Sequence, residues 1–173
     1  DLLIQALTGL TYLNGRRDDP PTPVGIGVAD LVAGFHIVYG VMAALLQRAR
    51  TGRGQRVEVN LMNSLLVLQT QEIVAHLNGV PQPPRHARAT SAPHVGPPFG
   101  VYATSDGYLA LAMNPMDRLG PLLGLPPEYC ANGMNVTEDP EPIFDAIAEA
   151  CASHVVAADI DLASETLGNS KEI

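Results

Sequence analysis

From Leu31 to Leu46 the chain runs for sixteen residues without a side chain that is charged at neutral pH, His36 being neutral there. Such a segment has to leave water, into protein or into lipid, and the rest of the fold must provide for it. A bilayer span needs about 20 consecutive apolar residues. This run is shorter and is interrupted by Gly34, Gly40, Tyr39 and His36, so it reads as a buried core helix. Its ends are marked. Asp30 stands at the N-cap position, Arg48 and Arg50 lie in the last turns, and Gly52 follows as the C′ stop.

The flanking segments supply the neighbours such a helix needs. Residues 1–13 place Leu2, Leu3, Ala6, Leu7 and Leu10 on one helical face, and NGRRDDPPTP (14–23) breaks that helix. A glycine-rich approach, VGIGVAD (24–30), leads into the apolar run. TGRGQ (51–55) makes a tight turn into a short strand, RVEVN (56–60), and a second helix spans 61–78, ending at Asn78-Gly79. Residues 80–98 are rich in proline, have no helical period and read as an extended linker or crossover. FGVYATSDGYLALAM (99–113) predicts two strands joined through Ser105-Asp106-Gly107. Asp139-Pro140 caps a helix to about His154, with Ile143, Ala146, Ile147 and Ala150 inward. The tail after Asp159 has no usable pattern.

Charge narrows the function classes. The 173 residues carry 18 acidic and 10 basic side chains, a net of −8, and the pI near 4.9 argues against a nucleic-acid scaffold. The imbalance is local. Residues 1–100 hold eight basic and six acidic groups, and residues 101–173 hold two and twelve, so an anionic small molecule belongs with the first hundred residues. The four arginines Arg48, Arg50, Arg53 and Arg56 read as a solvated helix end against the negative end of the helix dipole. Two cysteines, Cys130 and Cys151, make neither a disulfide framework nor a metal site, which points to a reducing, cytoplasmic setting. The chain starts at Asp1, inside an apolar helical pattern and without a signal-peptide layout. It is therefore expected to be a piece of a longer protein.

No familiar catalytic pattern is complete: GxSxG, a Walker loop, HExxH and paired cysteine ligands are all missing. Gly25-x-Gly27-x-x-Asp30 puts a carboxylate where a dinucleotide fingerprint needs glycine, and that charge repels a pyrophosphate. The five histidines show no ligand spacing, so no metal is expected. Asn135-Val136-Thr137 matches a glycosylation acceptor, with nothing else pointing to secretion. Asp30 carries the sharpest hypothesis. At a helix N-terminus, unpaired N–H groups and partial positive charge favour an ionised carboxylate and can stabilise charge developing on a neighbouring carbonyl. A carboxylate there is competent to attack an activated acyl carbon such as a thioester. The alternative is that Asp30 is an N-cap and nothing more.

The order of segments resembles the class III CoA-transferase family, which includes formyl-CoA transferase, carnitine–CoA transferases and α-methylacyl-CoA racemase. The residues that carry the resemblance are DLLIQALTGL (1–10), VGIGVADLVAG (24–34), GVMAALLQRARTGRGQRVEVNLMNS (40–64) and VYATSDGYLALAM (101–113). It covers about residues 1–125. The resemblance implies an α/β fold, with residues 1–79 ending a Rossmann-like large domain, 80–98 a linker and 99–173 part of a small α+β domain. It implies that an upstream half is missing here, that chains interlock as homodimers, and that residues 1–173 alone lack turnover.

The resemblance also implies a chemistry. The Asp at the position of Asp30 is the family's catalytic carboxylate; it takes the acyl group from an acyl-CoA, then carries CoA as a thioester and passes it to an acceptor carboxylic acid. Coenzyme A thioester is substrate, and no further cofactor is expected, nor a membrane. Family members contact CoA just before and around the position of Asp1. HVGPPFG (94–100) lies where formyl-CoA transferase has a glycine-containing loop over the intermediate, with Gly96 the matching position and the glycine run otherwise absent. Two alternatives follow. A racemase of the family places a Glu after the strand matching LALAM, where this chain has Asn114-Pro115. A truncated chain could instead serve only as a non-catalytic dimerisation module.

Overall fold

The computed structural model describes residues 1–81, 84–89, 91–131 and 139–153. Asn135-Val136-Thr137, His154 and the tail from 155 lie outside the described residues. The chain divides into two units, Asp1–Gly15 with Asp19–Gln82, and Arg16–Asp18 with Pro83–Ile173.

The first unit is helical: α1 (Leu2–Leu7), α2 (Leu10–Leu13), α3 (Val28–Thr51), α4 (Leu61–Leu68) and α5 (Thr70–Leu77). The helix expected over 1–13 is broken because Gly9 takes a left-handed conformation, φ 78°, and Thr8 Oγ1 turns back to donate to Ile4 O at 2.9 Å. Leu2, Leu3 and Leu7 are exposed, while Gln5 and Thr11 are buried.

Helix α3 begins at Val28 with Gly27 as N-cap, so Asp30 sits in the first turn and not at the cap. Its far end is as expected: Gly52 is left-handed at φ 72°, and its N–H donates to Arg48 O at 2.8 Å. Within this chain alone the helix is largely uncovered. Ala29 and Ala33 are buried, but Leu31, Phe35, Val38, Tyr39 and Leu46 are all at least half exposed. The helix packs on α1 and α4 through small residues, and no second layer within this unit covers its large apolar side chains. At 24 residues α3 is long and apolar enough to cross a bilayer by length and composition.

Residues 53–60 lie against α3. Gly40 makes this possible, since a Cβ there would stand 2.6 Å from Val57 Cγ1. The strand expected at 56–60 keeps its alternation, with Val57 and Val59 half-buried and Arg56 ion-paired to Glu58 at 2.7 Å on the open side. It has no strand partner among the described residues, and a strand needs a ladder. The helix expected over 61–78 starts at the Asn60 cap, whose Oδ1 accepts from Asn63 N at 2.8 Å, but breaks at Gln69. Beside that break the Thr70 hydroxyl donates back to Val67 O. The second half ends, as expected, at Asn78 and left-handed Gly79.

In the second unit the proline-rich stretch contributes buried residues, His86, Ala89, Pro97 and Pro98. The hairpin forms as expected, β1 (Gly100–Ala103) antiparallel to β2 (Tyr108–Leu111), with Gly100 opposite Leu111 and Ala103 opposite Tyr108. Its turn closes with Thr104 N donating to Gly107 O at 2.9 Å. Helix α6 (Met116–Leu122) and a 3-10 turn (Pro127–Tyr129) are additions to the sequence reading. Helix α7 (Glu141–Ala152) presents Ile143 and Ile147 to the core as expected, together with Phe144. They pack on Tyr102 of β1 and Met116 of α6. Arg17 and His86 both pair with Glu141 Oε1, at 2.8 and 3.0 Å, and the His86 ring stacks on Phe144 at 3.8 Å between centroids.

Candidate functional site at the mouth of helix α3

Three segments meet at the start of α3: the first turn of α1, the approach 24–27, and α3 itself. The approach carries Gly25 and Gly27, and nothing stands within 4 Å of where a Gly25 Cβ would be. Val28 N donates to Ile26 O at 2.8 Å, a tight bend that delivers the chain into the helix. The next amide, Ala29 N, donates to Asp1 Oδ1 at 2.6 Å. An aspartate carboxylate therefore caps α3, but it is Asp1 and not Asp30. Asp1 is held in turn. Gln5 Nε2 donates to Asp1 Oδ2, and Gln5 itself, on α1, is buried.

With the cap supplied from elsewhere, the Asp30 carboxylate has no capping work. Its side chain is 64% exposed, against 18% for Asp1, and its Oδ1 lies 3.7 Å from the Asp1 nitrogen. Gly27 lies next to it, with Asp30 Oδ2 at 3.6 Å from where a Gly27 Cβ would stand, an ordinary van der Waals distance. The result is an accessible carboxylate in the positive first turn of a long helix, beside a cap that fixes that turn. Such a group can accept a hydrogen bond, pair with a cation, or attack an electrophilic carbon.

The other candidates divide. Gly96 is half-buried in the second unit, where its carbonyl accepts from Phe99 N at 3.3 Å across the cis Pro97–Pro98 bond. Arg48 and Arg50 are exposed at the opposite end of α3 from Asp30, roughly 30 Å along the helix axis, so they cannot touch a group bonded to that carboxylate. His36 Nδ1 lies 2.9 Å from Ser64 Oγ. That pair mimics a nucleophile and its base, but Ser64 is buried between α3 and α4 where no substrate reaches it. A separate cleft of about 450 Å³ opens between α2 and α5, with Tyr12, Gln69, Glu72 and His76 on its walls. Sequence reasoning missed Gln5. A polar residue within an apolar helical face, four positions after Asp1, was the available signal.

Comparison with known proteins gives a consistent picture. The model of CoA-transferase family III matches residues 1–166. Succinyl-CoA:glutarate CoA-transferase of Mus musculus is 32% identical over 111 residues, which is 64% of this chain and 25% of that protein. Formyl-CoA:oxalate CoA-transferase of Streptomyces coelicolor is 41% identical over 68 residues, 39% of this chain and 17% of that protein. The chain thus spans about a quarter of the length of the first of these relatives. Among solved structures, a CAIB/BAIF family protein from Brucella suis superposes with a TM-score of 0.71 at 24% identity, covering 96% of this chain and 44% of that one. That likeness fixes the fold.

Proposed function

The chain belongs to CoA-transferase family III, and on that premise we propose that the protein carrying it moves coenzyme A from an acyl-CoA thioester to a carboxylic acid through a covalent intermediate on Asp30. The observation that carries this reading is the division of labour at α3. Asp1 makes the cap, and Asp30 is left accessible in the first turn. A carboxylate used only as a cap would have its oxygens turned onto the helix amides.

The chemistry balances with carboxylates and a thiolate alone. An Asp30 oxygen bonds to the thioester carbonyl carbon, the carbon–sulfur bond breaks, and CoA leaves as thiolate, giving a mixed anhydride. A thiol pKa of about 8.5 makes that departure feasible. The thiolate then attacks the Asp30 carbonyl, releasing the donor acid and leaving CoA on Asp30 as a thioester. The acceptor carboxylate attacks this thioester, and returning thiolate takes the acceptor acyl group, restoring Asp30. Positive potential at the mouth of α3 opposes the negative charge that builds on each tetrahedral carbon.

Several parts of the reading extend beyond Asp30. Asp1 contributes to the CoA-binding edge while holding the cap, and Gly96 belongs to a loop that shields the intermediate from water. The exposed apolar side of α3 is covered by the rest of the protein and by a second chain in an interlocked homodimer. The likeness to a solved structure across nearly all of this chain supports protein and not lipid as that cover. The setting is cytoplasmic, and residues 1–173 by themselves do not turn over. The relative named for a succinyl-CoA donor makes succinyl-CoA the first donor to assay.

The test is chemical trapping in the intact protein. Incubation with acyl-CoA followed by hydroxylamine is expected to convert Asp30 into a hydroxamate on the peptide that contains it, read by mass. Asp30→Ala is expected to lose about 10³-fold or more in kcat. Undiminished transfer by that variant leaves Asp30 without a catalytic role.

A further inference from the structure

We propose that Gln5 is a positioning residue for Asp30, acting through Asp1; the inference rests on the reading of Asp30 as the nucleophile. A glutamine on a short surface helix ordinarily faces water, yet Gln5 is 1% exposed. Its amide is fully engaged. Nε2 donates to Asp1 Oδ2 at 2.5 Å and to Ile26 O at 3.4 Å, and Oε1 accepts from Val24 N at 2.9 Å. Two of those partners belong to the glycine-containing approach to α3. The third is the carboxylate whose other oxygen caps Ala29 N, the amide next to Asp30 in the chain. One buried side chain therefore fixes both the segment that enters the helix and the cap on its first turn.

The chemistry of the position selects an amide. It must donate to a carboxylate and to a carbonyl and accept from a backbone N–H at the same time. Lysine and arginine cannot accept. Glutamate cannot donate while ionised and sets a second negative charge against Asp1. Leucine fills similar space but leaves Asp1 Oδ2 and the Val24 N–H without their partner. The Gln5 hydrogen bonds go to Asp1, Ile26 and Val24 and none of these is to Asp30, so its dependence is one of placement: a nucleophile displaced by about 1 Å can cost about 10²-fold in rate.

The experiment uses Gln5→Glu, Gln5→Leu and Asp30→Ala in the intact protein, with succinyl-CoA and its best acceptor. Both Gln5 variants are expected to lose about 10²-fold in kcat at pH 8 while KM for the acyl-CoA stays within about twofold. Gln5→Glu is expected to recover as pH falls toward 5. Its carboxyl, raised above the free value of about 4.3 by the neighbouring Asp1, then carries a proton that it can donate to Asp1 again. Gln5→Leu has no such proton and does not recover. Exchange of the Ala29 amide hydrogen is expected to quicken in both at pH 8. If Gln5→Leu does not fold, the pH profile of Gln5→Glu decides alone. Wild-type kcat in the Gln5 variants, a rise in KM without a fall in kcat, or no acid recovery of Gln5→Glu overturns the positioning role. With Asp30→Ala inactive, any of these results leaves the nucleophile standing. Full transfer by Asp30→Ala removes the nucleophile and the positioning role with it.

Discussion

Replacing Tyr102 with phenylalanine removes one oxygen from the interior of the second unit, and its consequence changes sign with pH. The Tyr102 side chain is fully buried, and its hydroxyl donates to Pro98 O at 2.9 Å, tying β1 to the loop that carries Gly96. Without the hydroxyl the buried Pro98 carbonyl loses its partner, a loss of about 1–2 kcal/mol. Ionisation supplies the opposing effect. Burial, with Cys151 acting in the same direction, holds the phenol well above its usual pKa. In the unfolded chain it ionises at about 10. A raised folded-state pKa gives stability that is whole below pH 10 and erodes above it, because the unfolded state sheds its proton first, at about 1.4 kcal/mol per pH unit. By pH 11 the wild type has lost about 1.4 kcal/mol that the phenylalanine variant cannot lose. Urea unfolding of the intact protein, wild type against Tyr102→Phe, is therefore expected to show a gap at pH 8 that closes near pH 11 and then reverses. Taking the difference cancels the other tyrosines. A gap that stays constant from pH 8 to beyond pH 11 refutes the argument, since the phenol then ionises alike in both states.

Two further outcomes test the packing that supports the site. Gly40→Ala gains about 1 kcal/mol of helix propensity but places its Cβ against Val57, an overpacking cost of about 1–3 kcal/mol; a lower melting temperature, relieved by adding Val57→Ala, is expected from thermal denaturation, and a stabilised single variant contradicts the contact. Glu141→Gln weakens the attachment of both Arg17 and His86, and a loss of about 1–3 kcal/mol is expected in urea titration, toward the lower end because Arg17 is partly exposed.

The local features were legible because they depend on a few neighbouring residues. Gly52 terminates α3 because a residue with no Cβ enters the left-handed region freely, and Asp106-Gly107 marks the hairpin because both residue types favour a tight turn, closed here by Thr104 N donating to Gly107 O. Asn78 and left-handed Gly79 set the far limit of the α4–α5 segment in the same way. Periodicity found Ile143 and Ile147 as inward residues of α7. It failed where a break needed only one residue. Left-handed Gly9 split the first helix and Gln69 the third segment, and neither disturbs an apolar period enough to be seen.

The amino-acid order by itself determined the chemistry on offer: a carboxylate at the start of a long apolar helix, preceded by glycines and followed by TGRGQ, in a segment order that resembles one family. Which carboxylate did which work was decided only in three dimensions. Asp30 is the residue a capping rule selects, yet the cap comes from Asp1, nearly thirty positions earlier and held by Gln5, because a helix amide bonds to the acceptor closest in space. The burial of α3 was likewise beyond the sequence. An apolar run states that a surface has to be covered, but burial needs a second surface, and within its own unit this chain covers little more than Ala29 and Ala33.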